Sequence, residues 1–156
     1  MPYITQAQQV DKDNPLEINI SMYGGIFGKL PFTDAFPLQK ESEIIGSGNL
    51  YLAPSFNLYL LKNIHAHVQY DIPGNAVNVP LGYCFDNGID VYGSYIKSTL
   101  SYEEQYFGIG IEKIIKLPKI PKYESLVGVE GDYNRITKHS AISFFILINA
   151  NIFNFN

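Results

Sequence analysis

The sequence of 156 residues predicts an all-β fold, an eight-stranded antiparallel up-and-down barrel. Three observations predict it. Apolar residues recur at every second position over long stretches, the period of a strand with two unlike faces. Turn-forming residues divide these stretches into about eight. Lysine is absent from the polar positions of these stretches away from the turns. Composition bounds the alternatives. The length suits one domain. With 46% hydrophobic and only 17% charged residues, disorder is excluded. The longest strictly apolar run, Phe144 to Ile148, falls far short of the roughly 18 residues of a membrane helix. A lone Cys84 excludes an internal disulfide and a Cys-rich metal site. A net charge of -4 with a single arginine, Arg135, argues against nucleic acid as a partner.

Residues 1–15 read as a polar N-terminal tail, and residues 16–156 as the barrel domain. The tail ends in Asp11-Lys12-Asp13-Asn14-Pro15, and no basic segment followed by an apolar one is visible as a signal peptide. The first strand, 16–28, alternates Leu16, Ile18, Ile20 and Met22 with Glu17, Asn19, Ser21 and Tyr23. The second, 47–61, sets Leu50, Leu52, Pro54, Phe56, Leu58 and Leu60 against Asn49, Tyr51, Ala53, Ser55, Asn57 and Tyr59. In the third, 64–72, Ile64, Ala66, Val68, Tyr70 and Ile72 alternate with His65, His67, Gln69 and Asp71. The remaining strands are predicted over 78–86, 88–98, 105–116, 122–134 and 140–154. Lys62-Asn63, Asp86-Asn87-Gly88 and Leu117 to Pro121 mark three tight turns. Asn87-Gly88 is expected to form a two-residue hairpin turn with both residues at positive φ. Connections 29–46, 73–77, 99–104 and 135–139 are looser, and the first is the longest.

The lysines decide where the barrel sits. Of ten, Lys97 and Lys113 fall inside predicted strands, both near an end, and Lys116 and Lys122 stand at strand termini beside a turn. The polar face holds amide, small, Tyr and acidic residues, joined by Gly82, Gly108, Gly110 and Gly128. A soluble sheet usually places Lys, Thr and Glu against water. A Lys or Arg at mid-bilayer on a lipid face costs about 2–4 kcal/mol. The pattern therefore favours a transmembrane barrel, with the apolar face outward and a narrow polar lumen. Phe27, Tyr70, Tyr83, Phe85, Tyr95, Phe107, Tyr123 and Tyr133 lie near strand ends, where barrels carry aromatic girdles. An even strand count lets the sheet close with no unpaired edge in hydrocarbon. Eight strands leave an interior just wide enough for side chains to fill.

The segment Pro80-Leu81-Gly82-Tyr83-Cys84-Phe85-Asp86-Asn87-Gly88-Ile89-Asp90-Val91-Tyr92-Gly93-Ser94-Tyr95 resembles hairpins of small outer-membrane β-barrels, the opacity-protein and OmpA-type transmembrane domains. Tyr106-Phe107-Gly108-Ile109-Gly110-Ile111-Glu112 resembles the Gly-rich strands that follow in that family, and Ile142 to Phe155 looks like its closing strand. The likeness implies a Gram-negative outer-membrane location and a structural, adhesion or surface-recognition role. It implies termini and short turns on the periplasmic side and longer loops outside. The last strand departs from the pattern. Phe153 and Phe155 share parity with Asn149 and Asn151, while Ile142, Phe144, Ile146, Ile148 and Ile152 take the other, so either a bulge repairs the register or the strand is misassigned or ends elsewhere.

Glu17, His65, His67, Asp71, Asp90, Tyr92, Glu112, Glu130 and Asp132 are the candidate lumen network. Carboxyl groups in a closed lumen need partners, and a hydrogen-bonded plug with the histidines and tyrosines would provide them. His65 and His67 share a face and could hold a metal, but spacing supplies no further ligands, so they read as packed lumen groups. Lys138-His139-Ser140 with Asp132 contains hydrolase ingredients, yet adjacent residues on a strand face opposite ways. The chain is thus read as non-enzymatic, without cofactor or metal. Phe32, Phe36 and Lys40 in the longest loop are the candidates for binding a host or cell-surface partner. Outer-membrane lipid is the other expected partner, the chain is expected to be monomeric, and nucleic acid is not expected. Two alternatives remain: a soluble lipocalin-like barrel holding a small apolar ligand, and a membrane-barrel enzyme acting on lipid.

Overall fold

The structure, a computed structural model, describes residues 16–31, 49–61, 63–117, 120 and 123–155. Eight strands follow in chain order: β1 Leu16–Pro31, β2 Asn49–Leu60, β3 Ile64–Asp71, β4 Ala76–Cys84, β5 Ile89–Ser98, β6 Gln105–Lys116, β7 Tyr123–Asn134 and β8 Ser140–Phe155. Each pairs antiparallel with its sequence neighbours, and β1 pairs with β8, so the sheet closes into an up-and-down barrel. Closure satisfies every sheet edge. Leu16 and Phe155 therefore lie at the end of the tight turns, and the connections 72–75, 99–104 and 135–139 lie at the other, the loop end.

The polarity is inverted relative to a water-soluble domain. Among the described residues, sixteen polar or charged residues are buried against six hydrophobic ones. Alternation decides this directly. On β3, His65, His67, Gln69 and Asp71 point inward, while Ile64, Val68 and Tyr70 lie on the outside. The outer face of β6 runs Gln105, Phe107, Ile109, Ile111, Lys113 and Ile115, so its three-residue apolar run is flanked by Gln105 towards the loops and Lys113 towards the turns, with Ile115 beyond. Outward aromatics gather towards the two ends. Tyr95 and Phe107 pack at 5.2 Å beside Tyr133 near the loops, and Tyr83 and Phe85 pack edge-on at 5.0 Å near the turns. Phe27 corrects the expected girdle. It sits on the inward parity of β1, against Tyr51 in the lumen.

Three local features differ from the simple alternation. β1 continues to Pro31 rather than ending at residue 28, so Lys29 also falls within a strand. The hairpin at Asp86-Asn87-Gly88 has three loop residues, not two. Gly88 N donates to Phe85 O at 2.8 Å and Phe85 N to Ile89 O at 2.8 Å, with only Gly88 at positive φ (78°). Asn87 contributes its side chain instead, accepting from Ile89 N at 3.0 Å. This is a type I turn followed by a left-handed residue, the usual three-residue solution. The third feature is a bulge, which decides among the alternatives left open for the last strand. Ile20 pairs with Phe153 while Ser21 pairs with Asn151, which leaves Ile152 as the extra residue. The shift returns Phe153 and Phe155 to the outer face beside Ile20 and Ile18.

Prolines shape the β2–β4 region. Pro has no N–H to give a ladder. The β2–β3 ladder begins at Ser55↔Gln69, next to Pro54. The β3–β4 pairing is interrupted between Ala66↔Leu81 and Gln69↔Asn78, where Pro80 stands.

Candidate functional site

The lumen is where this chain places its chemistry. Inward residues of adjacent strands form rungs, because register partners share a face. One rung links Asn19 on β1, Asn57 on β2 and His67 on β3. Asn57 Nδ2 donates to Asn19 Oδ1 and to Ser21 Oγ, each at 2.6 Å, and Asn57 Oδ1 accepts from Ser55 Oγ. On the opposite wall, Glu130 of β7 accepts from Tyr92 OH at 2.9 Å and from Ser94 Oγ. Asp132 Oδ2 accepts from Ser143 Oγ at 2.8 Å. His65 Nε2 meets Asp90 at 2.8 Å, an ion pair when the ring is protonated. Gln69 Oε1 accepts from Tyr51 OH at 2.8 Å and from Asn78 Nδ2 at 3.2 Å. At the turn end Lys116 lies 4.0 Å from Glu124.

Glycine makes these contacts possible. A Cβ at Gly82 would strike His65 Nε2 and Tyr92, and one at Gly110 would strike the Tyr92 ring. A Cβ at Gly108 would strike Glu130 and Ser94. The large lumen side chains occupy the space these glycines vacate, and the sequence shows this as large and small residues sharing a parity.

All nine predicted lumen residues face inward. Glu17 lies near the turn end, whereas the other eight line one continuous cavity of about 410 Å³. The filling of the lumen is therefore partial, where complete filling by side chains was predicted. Small residues explain the space, since Ala76, Ser98 and Ser143 stand at its wall. A second departure is apolar. Tyr23, Ala53 and Leu126 form a buried cluster with Tyr51, Ile114 and Leu147. Parity in β6 and β7 carried that signal, because Ile114 and Leu126 continue the inward face of Glu112 and Gly128. Ser94, Ser143 and Asn78 are the partners missed as site residues; nothing in local spacing links Ser143 to Asp132.

His65 and His67 stack at 4.6 Å, with Tyr59 5.5 Å from His67. Among the described residues no group of three or more His, Cys, Asp or Glu is arranged to hold a metal ion. His139 and Ser140 follow each other at the start of β8, and His139 O accepts from Asn134 N at 2.7 Å. Asn134 Oδ1 caps that loop, accepting from Ile136 N at 2.9 Å and Thr137 N at 3.0 Å. Phe32, Phe36 and Lys40 lie outside the described residues.

No protein-family profile matches the chain, and none of the curated protein sequences does. Among solved structures, the chain is similar to the crystal structure of Neisserial surface protein A. That match has 8% identity, covers 89% of this chain and 98% of the other, and has a TM-score of 0.39.

Proposed function

We propose that this chain is an integral outer-membrane β-barrel protein of Gram-negative type, monomeric and non-enzymatic, with a structural or surface-recognition role. The inverted polarity carries the reading. Ile26, Leu81, Ile109, Ile146 and Phe153 stand outward at 53–75% exposure, while Asn57, Asp90 and Asn134 are buried at 0–2%. In water, an apolar belt around the whole molecule would drive association, because monomers rarely expose patches above a few hundred Å². In lipid the same belt is solvated, and seven of the eight strands have the roughly nine or more residues needed to cross, with β3 one residue shorter. Lys97 and Lys113 lie outward but near strand ends, within reach of an interface. A soluble barrel for an apolar ligand would need the reverse arrangement. A lipid-modifying role would need Asp132 near His139 and Ser140 in a working order, and its Oδ2 is taken by Ser143.

The reading predicts that the folded protein requires detergent or lipid and migrates faster on a gel before boiling than after. Monodisperse, folded protein in plain buffer would overturn it.

Recognition is assigned to the loop end. There Leu100 and Tyr102 are 77% and 76% exposed on one short connection. Burying such side chains against a partner contributes about 1.5–3 kcal/mol each. Substituting both by Ser is expected to leave the barrel heat-modifiable and to weaken adhesion of protein-coated beads to target cells at least about tenfold. Unchanged adhesion would remove these two residues from the role.

A further inference from the structure

The wall of the lumen cavity has an unusual chemistry. It carries the carboxyl groups of Asp71, Asp90, Glu104, Glu112, Glu130 and Asp132, and among the described residues no Lys or Arg side chain lines it. Buried carboxyl groups require protons, hydrogen-bond donors or cations. The protein supplies donors to some, through His65, Tyr92, Ser94 and Ser143. It leaves others short. Asp71 and His67 project inward from β3 to the cavity wall, each only 8% exposed. The Asp71 carboxyl accepts from backbone N–H groups of Gly74 and Leu52, but its Oδ1, like His67 Nε2, has no hydrogen-bond partner.

The spacing of these two groups limits the ligand. They stand four residues apart on one strand, about 13 Å at roughly 3.3 Å per residue. Gln69 stands between them on β3, and the rings of Tyr51, Tyr92, Tyr106 and Phe145 line the same cavity. Aromatic walls suit methylene groups and the faces of organic ammonium ions. A bare metal ion would leave that wall unused, and an anion would meet carboxyl groups. A cavity of about 410 Å³ falls within the usual range for small-molecule sites.

We propose that the lumen cavity binds a linear organic polycation of the polyamine class. One ammonium group is held by Asp71 near the loop end, and another donates to His67 Nε2 deeper in the barrel. The carboxyl groups of Glu112, Glu130 and Asp132 supply the surrounding negative potential. This assignment uses only the lumen and holds whether or not the barrel sits in an outer membrane.

The test is calorimetric titration of the folded full-length protein with spermidine, in whichever detergent or buffer keeps it folded. One saturable site per chain is expected. Mg²⁺ or Na⁺ at matched ionic strength should not reproduce the response, and a neutral diol of equal length should not bind. Asp71→Asn should weaken binding at least about tenfold, since a hydrogen bond to a charged group is lost. Ala76→Phe, which fills the cavity beside Asp71, should abolish it. Heat-modifiable migration checks that both variants fold. Absence of a saturable site, a response matched by Mg²⁺ or the diol, or unchanged affinity in both folded variants would overturn the proposal. The diol comparison uses unmodified protein and so decides the question even if a variant fails to fold.

Discussion

Replacing Ile109 by Lys is expected to destabilise the barrel folded in lipid by about 2–4 kcal/mol. Ile109 is an outward residue near the middle of β6, four residues from both Gln105 and Lys113. It is 75% exposed, because its register partners Gly93 and Gly131 carry no side chain to cover it. An ammonium group there must either enter hydrocarbon or stretch along the barrel wall to reach headgroups. The same substitution at Thr99, in a loop, meets water and should change stability by no more than about 0.5 kcal/mol. Reversible urea unfolding of the two variants from lipid vesicles measures the contrast. If Ile109→Lys were as mild as Thr99→Lys, the outer face would not be a lipid face.

The second large effect is expected inside. Asn57 is fully buried, at 0% exposure, and its amide joins Asn19, Ser21 and Ser55. Asn57→Leu keeps a similar volume but removes every one of those bonds. Stranding a buried polar group costs about 1–3 kcal/mol, so the loss should reach about 3 kcal/mol or more across three partners. Adding Asn19→Leu should cost less than the sum of the single changes, because the second substitution removes a group already stranded. The check is a double-mutant cycle from the same urea unfolding. Additive costs would mean that Asn19 and Asn57 do not depend on each other. A loss below about 1 kcal/mol for Asn57→Leu would mean that lumen water replaces the network.

Much of this molecule is written in period two. Eight alternating stretches supplied the strands, and the structure reproduces all eight with ends moved by a few residues. Faces followed from the same alternation, because a strand side chain has only two directions available. That is why Glu17, His65, Asp90 and Glu130 could be assigned together as inward residues without any knowledge of contacts. The odd parity of Phe153 and Phe155 left a bulge or a misassigned end, and the register shows a bulge at Ile152.

Other features depend on strand register, which brings distant segments together. Glu130 and Ser94 stand thirty-six residues apart in sequence, yet meet because β5 and β7 both flank β6. The fit of Tyr92 over Gly110 has the same origin, a cross-strand pairing that composition does not reveal. Asn87-Gly88 suggested a two-residue turn; the tertiary register selected three residues, so only Gly88 needed positive φ. The cavity was equally hidden. Its volume is a difference between a barrel radius set by strand number and the side chains pointing into it. The sequence by itself determined strands, faces and the inside-out polarity, since these are local consequences of alternation. Only the tertiary structure decided which lumen groups pair, which stay unpartnered and where space remains, because those depend on register around a closed ring.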